Sequence, residues 1–268
     1  MIRLLSAADH PLIHEFCSQN LAHSLYFLGN LESLGVESDI CQFWGSFDGR
    51  GELNGVLMRY MNGWDIADAP GCDYAAFGQI VDAHPAGATR LQDNTQHTQS
   101  FLPFLRRYEA ETIQTEYLCD LARANFNPIA TPWPVRRATL ADYPALCRFY
   151  ADAGQMTRTP RGVERPLTTG RVFVVEIAGE IVSAVLTNAE TRAAAMIGGV
   201  YTPPPRRGQK FAAAAMTALC QSLIADGLRP VLYYDNPAAG AIYQRLGFRR
   251  IGLWRGVRLQ PTLTGSVT

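Results

Sequence analysis

The sequence has 268 residues, a formal net charge of zero, 47% hydrophobic residues and 18% charged residues. This length allows one large domain or two of ordinary size, and the composition excludes an intrinsically disordered chain. The chain has no run of about 18 apolar residues and no basic N-terminal region before an apolar run, so we expect a cytoplasmic protein without a membrane partner. The six cysteines are scattered, which predicts reduced thiols.

Two similar segments begin the two halves of the chain. IRLLSAADHPLIHEF at 2–16 and VRRATLADYPALCRF at 135–149 share five identical residues in register, at an offset of 133. Each segment predicts a short strand and then a helix that starts with a capping box, at Ser6 and at Thr139. A common helix-start signal explains only part of these identities, so we interpret them as an internal duplication.

The duplication predicts two domains, 1–130 and 131–268, which meet at the proline-rich segment NFNPIATPWP at 125–134. Their formal net charges are −9 and +9. A polyanionic ligand is therefore expected on the second domain. Nucleic acid is a poor candidate for this ligand, because the arginines are spread over many elements and show no aromatic-basic platform.

Hydrophobic periodicity and turn residues predict a mixed α/β sheet in each half. The first half predicts strands near 42–48, 54–61 and 64–68, a helix over 73–83, a strand at 89–92, a helix over 95–107 and a strand at 111–122. The second half predicts a strand at 134–137, a helical region at 139–155, strands at 171–178, 181–188 and 193–202, a helix over 207–226, a strand at 230–234, a helix over 236–246 and a strand at 248–259.

A basic turn that contains one glycine precedes the Ala-rich helix of the second half. Such a turn presents unpaired backbone N–H groups and the positive end of the helix dipole, which together suit a pyrophosphate. Just before it, Gly198 and Gly199 lie late in a strand, where they predict either a β-bulge or a splayed strand end. The candidate phosphate-binding residues are Arg207, Gly208, Gln209, Lys210, Phe211 and Ala212.

The next helix supplies a second group of candidates. Asn236 is an expected N-cap with Pro237 at the first helical position, and it shares one helical face with Ala239 and Tyr243. Tyr243 is either a core aromatic or a functional phenol.

These motifs, in this order, resemble the Gcn5-related N-acetyltransferase (GNAT) superfamily, most closely its FR47-like branch. The family's core reads VYTPP, then Arg-Gly-x-Gly-x-Ala, then Asn followed by Ala-x-Tyr-x-x-x-Gly-Phe. This chain has VYTPP, the basic loop RRGQKFA in the place of the second pattern, and Asn236 followed by the third pattern. The resemblance implies two tandem acyl-CoA N-acyltransferase folds, with acetyl-CoA as co-substrate. It also implies that the main chain from Val200 through Tyr201 to Thr202 lies beside the pantetheine arm, and that Tyr243 protonates the CoA sulfur.

One departure from the family pattern concerns Lys210, which stands where the family usually has a second glycine. Either its side chain adds a cation for the phosphates, or it narrows the loop and weakens binding. We favour the cation, since a position that begins the helix needs no positive φ.

The general base is the least defined part of the prediction. No histidine follows His97, and Glu176 on a central strand is the best available carboxylate, with a water chain as an equal alternative. His10 and His14 have the i, i+4 spacing of metal ligands but no third ligand near them in the sequence, so we expect no metal.

The first half lacks the chemistry of the second. Asp73 occupies the place of a basic loop residue, and Phe101 stands opposite Tyr243. We therefore interpret 1–130 as a degenerate copy that does not use acyl-CoA.

The predicted function is an N-acetyltransferase, monomeric or homodimeric, in which a small-molecule amine or an amino acid attacks acetyl-CoA directly. Loops such as 155–167 determine the acceptor, so this sequence does not identify it. One alternative is an acyl-CoA sensor without activity. Another is an aminoacyl-tRNA-dependent transferase, which would not need the phosphate loop.

Overall fold

The computed structural model describes residues 1–262, which form two compact units. The first unit comprises Met1–Tyr117 together with 252–262, and the second comprises Leu118–Ile251. These bounds differ from the predicted boundary at 130, because the proline-rich segment belongs to the second unit and most of the final strand belongs to the first.

The first unit begins with a short strand and two helices, and five further strands and two further helices follow them. Its elements are β1 (Ile2–Leu4), α1 (His10–Ser18), α2 (Leu25–Leu34), β2 (Cys41–Phe47), β3 (Leu53–Tyr60), β4 (Gly63–Asp68), α3 (Tyr74–Ala83), β5 (Arg90–Asn94), α4 (Thr95–Phe101) and β6 (Tyr108–Asp120). The last residues of β6 belong to the second unit.

The second half of the chain repeats this order of elements. They are β7 (Val135–Arg137), α5 (Tyr143–Ala151), α6 (Pro160–Thr169), β8 (Val172–Ile177), β9 (Glu180–Glu190), β10 (Ala194–Tyr201), α7 (Phe211–Ala225), β11 (Arg229–Tyr234), α8 (Pro237–Leu246) and β12 (Arg249–Pro261). The predicted mixed α/β fold is confirmed, with helix α7 starting at Phe211 rather than 207.

In the first unit the strand order is β1-β2-β3-β4-β5-β12. Neighbouring strands are antiparallel except β4 and β5, which are parallel. Apolar side chains form two core clusters, one that contains Ile13 and Phe43 and one that contains Phe77 and Leu91. The sheet therefore buries apolar residues against helices.

In the second unit the order is β11-β10-β9-β8-β7, again with one parallel pair, β10 and β11. Side chains of β8 alternate between two core clusters: Val172 and Val174 pack with α5 and α6, whereas Phe173 and Val175 pack with α7 and α8. Because alternate residues of a strand point to opposite faces, α5/α6 and α7/α8 cover opposite faces of this sheet.

The final strand differs from the prediction, which placed 248–259 in the sheet of the second half. From Gly252 onward it lies in the first unit, where Trp254 pairs with Asn94 and Arg258 pairs with Arg90. The alternating pattern of a strand predicts which face is buried but carries no information on which neighbouring strand it joins.

The duplication has a structural counterpart at the start of each unit. The Ser6 N–H donates to Asp9 and the Thr139 N–H donates to Asp142, both at 2.8 Å. Both aspartates also hold an arginine of the preceding strand in a bidentate pair. This shared arrangement supports the interpretation of an internal repeat.

Two helices were absent from the sequence prediction, α2 and α6. Helix α6 contains an internal proline, Pro166, in a polar segment whose composition favours a loop. Within residues 1–262, no helix is long and apolar enough to cross a lipid bilayer.

Candidate functional site

The parallel strands β10 and β11 of the second unit separate toward their C-terminal ends. Their pairing covers Ala194–Met196 and Arg229–Val231, after which the two strands continue to Tyr201 and Tyr234. Strand edges that separate in this way offer backbone groups to an extended ligand that lies between them like an additional strand. We call this feature the splay.

The glycine pair forms the bulge that its sequence predicts. The register of β10 against β9 shifts between Gly198 and Tyr201, and Gly199 has a φ of 58°. The Tyr150 hydroxyl, on a fully buried side chain, donates to the Gly199 carbonyl at 2.6 Å. Tyr150, which the sequence analysis did not identify, thus fixes the bulge beside the splay.

The end of β10 leads into the loop. The Tyr201 carbonyl accepts from Ser183 at 3.1 Å, and the Thr202 carbonyl accepts from Nε of Arg207 at 3.0 Å. The resemblance implied that the main chain at Val200 and Thr202 is free to pair with a ligand. The Thr202 carbonyl already accepts one hydrogen bond from the loop's own arginine.

The basic loop is exposed and ends at the N-terminus of α7. Gly208 has a φ of 81°, and no atom lies within 4 Å of the position that a Cβ there would occupy. The first backbone hydrogen bond of the helix runs from Ala214 to Lys210, so the amides of Phe211 and Ala212 have no intrahelical acceptor. Open amides at a helix N-terminus favour an anionic ligand.

The expectation that Lys210 needs no positive φ is wrong. Lys210 is the N-cap of α7 and has φ 64° and ψ 18°, the left-handed conformation that glycine adopts without steric cost. The loop turns sharply just before α7 begins. The backbone at Lys210 therefore has the conformation that suits the glycine usual at this position in the GNAT superfamily.

We expect Lys210→Gly to be more stable than Lys210→Ala by about 1 kcal/mol, because only glycine relieves the left-handed conformation. Both variants remove the cation, and both should weaken CoA binding by a few fold at low salt. Thermal unfolding and calorimetric titration with CoA measure the two effects. Equal stabilities of the two variants would contradict the strain, and tighter CoA binding by the glycine variant would show that the side chain hinders the ligand.

Trp133 supports the loop from the proline-rich segment. Its indole Nε1 donates to the Gln209 carbonyl at 2.6 Å, and its ring packs 4.7 Å from that of Phe211. The prolines of 125–134 predicted only a domain boundary. A large aromatic residue within a proline-rich linker was the available sign that this segment packs against the domain.

Helix α8 begins as predicted. Asn236 is its N-cap and accepts from the Ala238 N–H at 2.9 Å, with Pro237 at the first position. Ala239 is partly buried against the core. Packing explains the glycine at position 240, because a Cβ there would lie 2.4 Å from the Tyr234 ring.

Tyr243 lies in the core cluster that α7 and α8 cover. Its side chain is 5% exposed, and its ring contacts those of Tyr234 and Phe248 at centroid distances of 5.3 and 6.0 Å. Burial raises the pKa of the Tyr243 phenol above its usual value of 10, since the phenolate would lose its hydration. The hydroxyl therefore stays protonated at neutral pH, as a proton donor must.

Glu176 does not lie beside the splay. It binds Arg136 of β7, with Nε to carboxylate oxygen at 2.9 Å. Glu176 is on β8, and strands β9 and β10 lie between β8 and β11. At the usual spacing of neighbouring strands, β8 is therefore roughly 14 Å from β11. The geometry therefore gives no support to Glu176 as the general base.

The first unit contains a corresponding pair of parallel strands. The pairing of β4 with β5 covers Gly63–Asp65 and Arg90–Gln92, after which the strands continue to Asp68 and Asn94. The side chain of His97 fills the space between them. Its Nε2 lies 3.0 Å from Asp68 of β4, and its Nδ1 lies 3.1 Å from Asp93 of β5.

His97 is a cation in this position. Burial alone lowers the pKa of His97, but the hydrogen bonds and charges of Asp68 and Asp93 outweigh that effect and raise the pKa to about 10. Its Nδ1 also lies 3.2 Å from the Ile66 carbonyl, a main-chain acceptor on the inner edge of β4. His97 lies three residues after Asn94, the N-cap of α4, and Ala239 lies three residues after Asn236, the N-cap of α8. At corresponding positions, the first unit therefore has a charged side chain and the second unit a small one.

The other first-unit residues singled out from the sequence have structural roles. Asp73 is the N-cap of α3 and accepts from the Ala76 N–H at 3.0 Å, while Phe101 is fully buried in the core. His10 and His14 stack at 6.4 Å on α1. Among the residues that the structure describes, no group of three histidine, cysteine or acidic residues is arranged to hold a metal.

Comparison with known proteins agrees with this geometry. Residues 138–248 match the model of the acetyltransferase (GNAT) family, a segment that includes the bulge, the basic loop and α8. Members of this family transfer acyl groups from acyl-CoA. No protein of curated function matches the chain at a significant level.

Solved structures match over almost the whole chain. A GNAT-family acetyltransferase from Colwellia psychrerythraea is 12% identical with a TM-score of 0.60 and covers 97% of this chain and 100% of its own. A GCN5-related N-acetyltransferase from Sphaerobacter thermophilus is 16% identical with a TM-score of 0.64, over 97% and 95%. A tandem GNAT protein from the clavulanic acid biosynthesis pathway is 12% identical with a TM-score of 0.61, over 97% and 98%. The chain thus has the fold of GNAT acetyltransferases, and its residues 138–248 carry the sequence pattern of the acetyltransferase (GNAT) family.

Proposed function

We propose that this protein is an N-acetyltransferase of the FR47-like branch whose second unit transfers the acetyl group of acetyl-CoA to the amine of a small molecule or an amino acid. The observation that carries the proposal is the splay, which opens beside the exposed N-terminus of α7 and its basic loop. One ligand with an extended arm and a pyrophosphate fits both features.

Three groups of the second unit would act on this ligand. The amides from Gly208 to Ala212 would hold the pyrophosphate, and main-chain groups near Val200 would hold the pantetheine arm. The bulge at Gly199, fixed by Tyr150, would aim a backbone N–H at the carbonyl oxygen on which charge develops. Acetyl-CoA supplies an activated thioester when bound.

Tyr243 would complete the reaction by donating its phenolic proton to the departing sulfur. The phenol carries its proton at neutral pH, and the burial that raises its pKa makes it a weaker acid toward the thiolate, so the transfer depends on the sulfur lying within hydrogen-bond distance of the hydroxyl. Because Glu176 is held by Arg136 away from the splay, we propose that the amine loses its proton to solvent before it attacks.

We further propose that the first unit does not use acyl-CoA. His97 occupies the space between β4 and β5 and contacts the main chain of β4, whereas the second unit has the small side chain of Ala239 at the corresponding position. The N-terminus of α3 carries the anion Asp73 where α7 carries Lys210. Both differences oppose the binding of a phosphate ligand with an extended arm.

We expect Gly208→Asp to raise the calorimetric Kd for CoA at least about tenfold, since it places a carboxylate beside the pyrophosphate amides and forces a side chain into a left-handed position. Gly71→Asp is the matched control, because Gly71 has a φ of 90° two residues before the N-cap of α3. This control should bind one CoA per chain as the parent does. Two CoA sites in the parent, or equal losses in the two variants, would contradict the assignment.

Release of free thiol from acetyl-CoA in the presence of a broad panel of amines tests the enzymatic activity itself. Turnover supports an acetyltransferase. Tight CoA binding without turnover on any amine would instead favour a protein that senses acyl-CoA.

A further inference from the structure

Arg158 lies over the glycine pair of β10, on the face of the sheet that α5 and α6 cover. A Cβ at Gly199 would lie 2.9 Å from its Nε, and a Cβ at Gly198 would lie 2.2 Å from the Asn188 amide nitrogen. The two glycines therefore leave room for the side chains of Arg158 and Asn188. The bulge beside the splay is thus built around this arginine.

The guanidinium is held in place without a counter-ion. Its Nη2 donates to Asn188 Oδ1 at 2.9 Å, and its central carbon lies 5.7 Å from the centre of the Tyr150 ring. Its Nε is buried and has no hydrogen-bond partner. Among residues 1–262, no carboxylate lies within 4 Å of it, whereas Arg136 and Arg171 of the same unit each bind acidic side chains.

A buried charged donor without an acceptor is unfavourable, because it has lost water and gained nothing in return. A planar guanidinium with remaining N–H groups matches the two oxygens of a carboxylate. Arg158 as a whole is only partly buried and its guanidinium has no carboxylate partner among residues 1–262, so its Nη groups indicate an anionic ligand that approaches this face.

The position of Arg158 identifies which substrate that ligand is. The basic loop leads into α7, and Tyr243 lies in the core that α7 and α8 cover, whereas Tyr150 and its neighbour Arg158 belong to the opposite face. In a direct transfer, the acceptor must reach the thioester from a side that CoA does not fill. The face of Arg158 is that side.

We propose that Arg158 binds a carboxylate of the acceptor, so that the acceptor is an amine that also carries a carboxylate, as an amino acid does. This inference rests on the proposed function and specifies its substrate class. Arg158 holds the carboxylate through its remaining Nη N–H groups, while Asn188 and the Tyr150 ring fix the plane of the guanidinium. The amine of the same molecule then lies near the bulge at Gly199.

The test compares the parent with Arg158→Gln in the full chain, with acetyl-CoA and the twenty amino acids, each against its carboxamide. We expect the parent to prefer the acid. In the variant, kcat/KM for the acid should fall by about 10-fold to 100-fold, mostly through KM, while the value for the carboxamide changes by less than about threefold. Arg192→Gln removes an exposed charge of the same unit outside 155–167 and should change neither.

Other outcomes would overturn the inference. A fall in kcat of equal size for acid and carboxamide would show that Arg158 acts on the thioester and not on a carboxylate. A parent that prefers carboxamides or uncharged amines would also refute it. If CoA binds but no amino acid is turned over, the CoA-bound parent is titrated with the same amino acids by calorimetry. Absence of amino acid binding in that titration would refute the inference.

Calorimetry with CoA separates this failure from failure of the proposed function. Arg158→Gln should bind CoA as the parent does, since the phosphate loop is unchanged. A parent that does not bind CoA would contradict the acetyltransferase itself. A parent that binds CoA and acetylates only uncharged amines would contradict only the role of Arg158.

Discussion

Replacement of Tyr243 by phenylalanine is expected to lower kcat by roughly 10² to 10³-fold, with little change in the KM for acetyl-CoA. The variant removes only the hydroxyl, and the ring still packs between Tyr234 and Phe248. The departing sulfur then leaves as a thiolate without a proton donor, a loss that is felt in the transition state and not in binding. Steady-state thiol release measures both constants.

The hydroxyl of Tyr234 provides a matched control, because Tyr234→Phe removes a phenol from the same aromatic cluster. We expect this variant to keep kcat within about threefold of the parent, since its hydroxyl has no part in the proposed proton transfer. A Tyr243→Phe variant with kcat within about twofold of the parent would mean that Tyr243 only packs and that solvent protonates the sulfur.

The sequence predicted most elements of the fold, because their signals are local. Capping residues at Ser6 and Thr139 and the N-cap at Asn236 mark helix starts within one turn of chain. Helix α6 was missed, since its polar sequence with Pro166 has a low helix propensity and depends on packing of Val163 and its neighbours.

Contacts between residues far apart in the chain could not be predicted from the sequence. The residues of β12 predict a strand, yet the choice of β5 as its neighbour depends on contacts between parts of the chain about 160 residues apart. The left-handed backbone at Lys210 was missed for a related reason, because a lysine at a helix start carries no local sign of positive φ.

The candidate site was predictable only where chemistry and spacing coincide. The basic loop and the Asn236 to Tyr243 face follow from motifs, whereas Tyr150 and Arg158 are brought to the bulge by tertiary packing. The assignment of Glu176 rested on its position in a strand, and the sequence did not show that Arg136 of the next strand holds it.

Buried carboxyls of the first unit were also missed, and Asp65 is the most consequential. Asp65 is 2% exposed, and the only hydrogen bond of its side chain in the described structure comes from Gln92 at 3.0 Å. This pair occupies the last paired register of β4 and β5, where β10 and β11 have the apolar pair Met196 and Val231. Burial raises the pKa of Asp65 to about 7, although Arg90 and Gln92 act in the opposite direction.

We expect Asp65→Asn to be more stable than the parent at pH 8 by roughly 2 to 4 kcal/mol, or about 5 to 10 °C in Tm. A carboxyl whose folded pKa lies near 7 takes up protons more readily than its unfolded form, which titrates near 3.9. The parent therefore loses stability as the pH rises from about 4 to 7, whereas an isosteric amide carries no such cost.

Thermal unfolding of the full chain between pH 4 and pH 8 measures this difference. The advantage of Asp65→Asn should be near zero at pH 4, grow as the pH rises and level off above about pH 7. Asp39→Asn is the control, since Asp39 is exposed in the same unit and loses the same charge. An advantage of Asp65→Asn that does not change with pH would mean that the amide improves packing and that Asp65 is ionised in the folded chain. A parent more stable than the variant at pH 8 would mean that Arg90 stabilises the charged carboxylate by more than burial costs it.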